Sequence, residues 1–148
     1  MIRQAQSEDV ETLKHLAELA YAHYVPRMGM KPAPMVADFD AHVARGEAMV
    51  IENASEVQGF IIQFPKDDGW FVENIAIDPA HQGQGLGKSL MSSAEVEARA
   101  RGLQRVILYT NVTMTENLVF YAHLGYAETQ RISEDGFQRV YMEKRLKP

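Results

Sequence analysis

From Val10 to Tyr21 the apolar residues Val10, Leu13, Leu16, Ala17, Ala20 and Tyr21 recur every three or four positions. That period is one face of a helix. Ser7 stands where an N-cap belongs, and Glu8 and Asp9 follow in the turn where the helix dipole favours acids. Met1–Ala5, before it, reads as a short opening strand. Pro26 is expected to close the helix, and Arg27–Pro34, with Gly29, Pro32 and Pro34, to form a loop. Met35–Arg45 reads as a second, shorter helix stopped by Gly46. Apolar runs of strand length then come at Ala48–Glu52, Val57–Phe64 and Trp70–Ile77, the pattern of a meander. Asp78-Pro79 ends the third run, since proline has no N–H for a ladder. Past a glycine-rich stretch at Gly83–Gly87, the residues Leu86, Leu90, Ala94 and Ala98 share a helical face that runs to Arg101, before Gly102. Arg105–Thr110 is strand-like, and Thr115–Leu124 is a short helix before Gly125. Tyr126–Ile132 and Phe137–Lys144 form a last strand pair around Glu134-Asp135-Gly136. The order β-α-α-β-β-β-α-β-α-β-β predicts an α/β (α+β) fold, a mixed sheet with helices on its faces.

The chain has 148 residues, 46% of them hydrophobic and 24% charged. This suits one domain over residues 1–148 with a core that needs no metal or disulfide staple. There is no cysteine, which excludes thiolate metal sites and a cysteine nucleophile. It also fits a reducing, cytoplasmic setting, and Met1–Val10 lacks the apolar core of a signal peptide. No apolar run approaches the ~18 residues of a membrane span, so no membrane partner is expected. A formal net charge of −5 speaks against a nucleic-acid partner. The five histidines, at 15, 23, 42, 81 and 123, show no metal-ligand spacing, so no metal is expected.

The segment Asn74–Ser89 combines a strand end, a glycine loop and a helix start. Glycines let backbone approach a ligand closely, and the unpaired N–H groups of the helix's first turn make an anion site. A phosphate or pyrophosphate is the natural occupant. The nucleoside triphosphate loop requires a glycine where Gln82 stands, although Gly87-Lys88-Ser89 matches its end. The dinucleotide fingerprint fits Gly83 and Gly85, but its third glycine falls on Lys88.

Gln82-Gly83-Gln84-Gly85-Leu86-Gly87, after Ile75-Ala76-Ile77-Asp78-Pro79, resembles the cofactor loop of the Gcn5-related N-acetyltransferase (GNAT) family. Thr115–Tyr126, with Phe120-Tyr121 before Gly125-Tyr126, resembles that family's helix-to-strand motif. The likeness covers most of the chain from Glu47 onward and is weak over Met1–Gly46, the part that shapes the acceptor pocket in that family. It implies a mostly antiparallel sheet flanked by helices on both faces. It also implies acetyl-CoA as co-substrate and direct transfer of its acetyl group to a primary amine in a ternary complex. Dimerisation is common in the family, but no self-complementary patch can be read here. One position departs from the pattern: the family's usual asparagine falls on Met114, flanked by Asn111 and Asn117, so either of these could meet the cofactor.

Transfer to an amine needs a base, a stabilised oxyanion and a proton for the leaving thiolate. The resemblance puts a carboxylate base at Glu73. Strict alternation sets it on one face with Phe71, Ile75 and Ile77, an odd place for a solvated acid and a sign of a bulge or a cleft. Backbone N–H groups at Ile75, Ala76 and Ile77 are the oxyanion and cofactor candidates. Gln82, Gly83, Gln84, Gly85, Leu86, Gly87, Lys88 and Ser89 are the phosphate candidates, with Lys88 able to neutralise charge. Tyr121 is the candidate acid, because a phenol with an ordinary pKa of about 10 stays protonated at neutral pH. Asn117, four residues earlier, shares its helix face. Asp38 and Asp40 could attract a cationic amine, and Tyr21, Tyr24, Met28, Met30, Met35 and Phe39 supply core or acceptor-pocket lining. Two other readings remain: a non-catalytic CoA or acyl-CoA-binding module, and a nucleotide-phosphate-binding protein resting on Gly87-Lys88-Ser89.

Overall fold

A computed structural model describes residues 1–147. In chain order the elements are β1 (Ile2–Gln4), α1 (Val10–Tyr21), α2 (Val25–Met28), α3 (Phe39–Ala44), β2 (Ala48–Asn53), β3 (Glu56–Lys66), β4 (Gly69–Ile77), α4 (Leu86–Ala100), β5 (Arg105–Asn111), α5 (Thr115–His123), β6 (Ala127–Glu134) and β7 (Phe137–Arg145). The seven strands make one sheet in the order β1-β2-β3-β4-β5-β7-β6. β1–β2, β2–β3, β5–β7 and β6–β7 pair antiparallel, and β4–β5 is parallel. This is the mixed α/β sheet that the alternation of elements predicts, and it is mostly antiparallel, as the family resemblance implies.

The N-terminal third departs from its sequence reading in three places. Ser7 does not cap α1; it opens a 3-10 turn at Ser7–Asp9. Gln6 caps that turn, its N–H donating to the Asp9 carboxylate at 2.7 Å, and Asp9 holds the N-cap position of α1. Pro26 does not end the helical path either. It sits in the first turn of α2, where its missing N–H costs nothing, and Gly29 stops the helix at φ +71°. The helix expected from Met35 starts only at Phe39, because Asp38 accepts a hydrogen bond from Ala41 N at 3.1 Å. A short acidic side chain at that place favours a cap over continued helix.

The chain forms two compact units. The first holds Met1–Gln63 and Glu73–Ser92. There α1 buries Leu13, Leu16 and Ala17, and Phe39 of α3 meets Phe60 of β3 edge-on, with ring centroids 5.5 Å apart. Tyr21, Tyr24 and Phe39 are core residues, while Met30 is exposed. β3 is buried on both faces from Gln58 to Gln63, as a central strand must be. The second unit holds Phe64–Val72 and the chain from Ser93. On β5 the alternation buries Val106, Leu108 and Thr110. Phe64, Phe71, Tyr109 and Tyr141 form a row of rings, each 5.5 to 5.7 Å from the next. Such cross-strand aromatic pairs hold register. Arg139 lies 4.3 Å over Tyr109 and donates to Glu134, which also accepts from the Tyr141 hydroxyl. Burial and that neighbouring carboxylate push Tyr141 up to about 12. β6, at the sheet edge, is exposed almost throughout and carries Glu128 and Arg131, charges that discourage edge-to-edge pairing.

Arg3 clamps Asp9 through two hydrogen bonds, 2.8 and 3.1 Å, and holds its carboxyl below the usual range. A lowered carboxyl pKa adds stability above its unfolded value, near 4, and loses it as pH falls through the folded value. Asp9→Asn should therefore cost about 1–3 kcal/mol at neutral pH. Urea unfolding followed from pH 7 to pH 3 should show the difference from the parent chain shrinking as the solution becomes acid.

Candidate active site

The site is built on the second half of β4. From Glu73 to Ile77 burial alternates: Asn74 and Ala76 are buried, while Glu73, Ile75 and Ile77 are half-buried. Asn74 is 3% exposed, and a buried amide must find partners. Its Nδ2 donates to Pro34 O at 2.9 Å, and its Oδ1 lies 3.1 Å from the Tyr21 hydroxyl. The same hydroxyl donates to Ile75 O at 2.7 Å. Tyr21 and Asn74 thus tie β4 to α1 and to the turn before α3.

Trp70–Val72 of β4 pair with Val106–Leu108 of β5 in a parallel ladder, and β4 runs on to Ile77. Asp78 N–H donates to Gln58 O at 2.9 Å, so that edge of the segment belongs to β3. Successive residues of a strand turn their N–H and C=O groups to opposite edges. Ile75 and Ile77 therefore face away from β3, and the Tyr21 bond to Ile75 O, in place of a β3 donor, agrees.

The two-residue turn Asp67-Asp68 has φ of +52° and +61°, as a type I′ hairpin requires. Counting from it would set Val57 against Asp78, yet Asp78 meets Gln58. β4 therefore carries one extra residue, a bulge of the kind that re-aims side chains. The close approach leaves no room at Gly59, where a Cβ would come 2.6 Å from Ile77 Cδ1 and 2.8 Å from Ala76 O.

Glu73 Oε2 lies 3.6 Å from His42 Nε2, and His42 Nδ1 lies 2.7 Å from Glu47 Oε1. His42 is 8% exposed. The sequence reading gave this histidine no role. Its signal was its position: three residues after the buried Phe39, it falls on the same face of α3. Asp38 and Asp40 do not form an open cation trap. Asp38 caps α3, and Asp40 lies 3.6 Å from Lys14 Nζ.

The loop after β4 is stapled at its start. Asp78 Oδ1 accepts from Ala80 N at 2.9 Å, and His81 Nε2 lies 2.8 Å from Glu56 Oε1. Glu56, Asp78 and His81 bring their ligand-type atoms within 4.8 Å of one another, a grouping that histidine spacing could not reveal. Gln82, Gly83, Gln84 and Gly85 then run exposed. Gly83 and Gly85 have φ of +84° and +79°, and a Cβ at either would meet nothing within 4 Å. The first bond of α4 is Ser89 N–H to Gly85 O, 3.0 Å. The N–H groups of Leu86, Gly87 and Lys88 therefore precede the helix's own ladder. Lys88 and Ser89 are exposed in that first turn. The first unit thus brings together Glu73, Ile75, Ala76, Ile77 and all of Gln82–Ser89.

In the second unit Asn117 and Tyr121 both lie on α5, as their spacing requires. Tyr121 is buried between Phe120 and Tyr126, at centroid distances of 5.2 and 6.1 Å. Met114 is buried, and its sulfur accepts from Thr110 Oγ1 at 3.4 Å and from Asn117 Nδ2 at 3.6 Å. Asn111 Oδ1 accepts from Thr113 N and Oγ1, at 3.0 and 2.8 Å. Its acceptor is therefore engaged in closing the turn after β5.

Residues 44–128 match the acetyltransferase (GNAT) domain family. The chain belongs to the GNAT family. Among curated GNAT relatives it is 42% identical over 52 residues to a mycothiol acetyltransferase of Streptosporangium roseum, covering 35% of this chain and 15% of that one. It is 44% identical over 55 residues to N-alpha-acetyltransferase 80 of Mus musculus, covering 37% of this chain and 16% of that one. The chain thus spans less than a fifth of the length of either relative. The solved PaiA N-acetyltransferase of Thermoplasma acidophilum, in complex with coenzyme A, superposes with a TM-score of 0.80 at 19% identity, covering 98% of both chains. At that identity the likeness is one of fold.

The family match spans residues 44–128, while the contacts of Tyr21, Asn74 and His42 come into view only in the fold. Asn74→Ala strips Pro34 O of its buried donor and should cost about 1–3 kcal/mol, measured as a lower urea midpoint with unchanged slope. No loss of stability would mean that this bond does not hold β4.

Proposed function

We propose that the chain, acting as one domain over residues 1–148, is an acetyl-CoA-dependent N-acetyltransferase. It would transfer an acetyl group to a primary amine by direct attack in a ternary complex. The observation that carries this is the Gln82–Ser89 loop: two left-handed glycines, open to solvent, leading into three first-turn N–H groups. Bare backbone donors at a helix N-terminus suit a pyrophosphate, and the family's chemistry supplies the thioester.

In this reading the amine nitrogen attacks the thioester carbonyl carbon, and the C–S bond breaks as the tetrahedral intermediate collapses. Glu73 takes the proton that the nitrogen must lose. The N–H groups of Ile75 and Ile77, which β3 does not use, are the donors available to the oxyanion. Tyr121 gives its phenolic proton to the leaving thiolate, and Asn117 reaches the cofactor from the same helix. A thioester is already activated, so no protein nucleophile is needed, and the lack of cysteine is consistent with that.

Acetyl-CoA should raise the melting temperature, while ATP with magnesium should not, because a ligand selective for the native state stabilises it by mass action. Gly85→Val should abolish that shift, since a β-branched residue resists φ near +79°. The reverse ligand preference would turn the reading toward a nucleotide site. Thiol release that depends on an added amine separates an enzyme from a binding module.

Tyr121→Phe keeps the ring and removes its proton. If Tyr121 protonates the thiolate, kcat should fall about 10–100-fold with little change in acetyl-CoA affinity. Steady-state kinetics under conditions where chemistry limits turnover, run beside a binding titration, decide it. Unchanged kcat removes Tyr121 from the reaction.

A further inference from the structure

Glu73, the candidate base, does not stand alone. The buried His42 ring has a carboxylate on each side, Glu73 at 3.6 Å from Nε2 and Glu47 at 2.7 Å from Nδ1. The second distance is a hydrogen bond. Glu47, when ionised, can only accept, so the proton in that bond sits on Nδ1. Neutral His42 must then present the lone pair of Nε2 toward Glu73. The first distance is longer than a hydrogen bond and within ion-pair range. Catalytic contacts of this length commonly tighten when substrate is bound.

We propose that His42 is a positioning residue that stores the amine's proton: Glu73 takes it and hands it to Nε2, while Glu47 holds the ring in place. The inference rests on the acetyltransferase reading and names the further groups that its base employs. The step balances. An N–H bond of the substrate breaks and an O–H bond forms on Glu73. That O–H bond breaks in turn and an N–H bond forms on Nε2. The result alternates carboxylate, imidazolium and carboxylate, and each neighbour attracts the next. Nothing is oxidised or reduced, and the stored proton leaves to water on product release.

The cluster is fixed by the fold. Glu47 N–H donates to His42 O at 3.0 Å, which holds the residue after Gly46 against the end of α3. Arg45 lies 4.0 Å from Glu47 and is the cation facing the cluster from the same turn. The other acids of α3 are engaged elsewhere, Asp38 with Ala41 N–H and Asp40 with Lys14.

The first test needs no substrate. Nitrogen-15 spectra of histidine-labelled protein report which ring nitrogen of neutral His42 carries the proton. The proposal requires Nδ1, the minor form of a free imidazole in water, and a proton on Nε2 overturns it. The second test is kinetic, with acetyl-CoA and whichever of a panel of primary amines gives the fastest thiol release. His42→Gln should lower kcat about 10–100-fold and leave KM for the amine within a factor of two or so. The acidic limb of its kcat/KM profile should move to lower pH, because Glu73 then works without the ring. Glu47→Gln should move the limb in the same direction by less. A His42→Gln protein with parental kcat and an unmoved limb refutes the relay. If that variant does not fold, Glu47→Gln and the nitrogen spectra decide. An absence of thiol release from the parent chain with every amine is instead a failure of the acetyltransferase reading, and it leaves the nitrogen spectra as the test of the cluster.

Discussion

The second half of β4 is held by a buried amide and a phenol, and the placement of Glu73 and its neighbours depends on them: Asn74 reaches Pro34, and Tyr21 reaches Ile75. These bonds also satisfy buried polar groups that would otherwise be orphaned. The bulge in β4, the tight seat at Gly59 and the position of Glu73 all follow from holding this segment in place.

Two kinds of polar arrangement lie within the first unit. The first-turn N–H groups after the glycine loop offer backbone dipoles, which need no side-chain cation and tolerate a chain whose net charge is −5. Glu73, His42 and Glu47 form an acid–histidine–acid cluster. The backbone donors are fixed by the conformation of Gly83 and Gly85, whereas the cluster is held by side chains from α3, the turn after it and β4.

The strands, and the helices after residue 80, lie within about two residues of where the sequence places them, because period-2 and period-3.6 patterns there are long and bounded by Gly or Pro. The N-terminal third was less legible. Pro26 reads as a stop and is a start, and Asp38 reads as a ligand for cations and is a cap; both residue types have two local meanings that only context resolves. In the candidate site, Glu73, Tyr121 and Gln82–Ser89 were visible through a motif. Asn74 and His42 were not, since a polar residue on a buried face has no periodic signature and its partners lie 40 positions away in one case and 31 in the other.

The sheet order also bears on how the chain must be made. β7 lies between β5 and β6, so of these seven strands the one latest in chain order is an interior one. β5 and β6 emerge from the ribosome with no hydrogen-bonding partner between them, and β5 waits for residues some 30 positions downstream. A chain cut before Phe137 would lose not a fringe but the strand that carries the buried Val140 and Met142. The second unit therefore stays open between β5 and β6 until β7 is in place, and a cut within β7 would bare one edge of β5 and leave β6 without its partner.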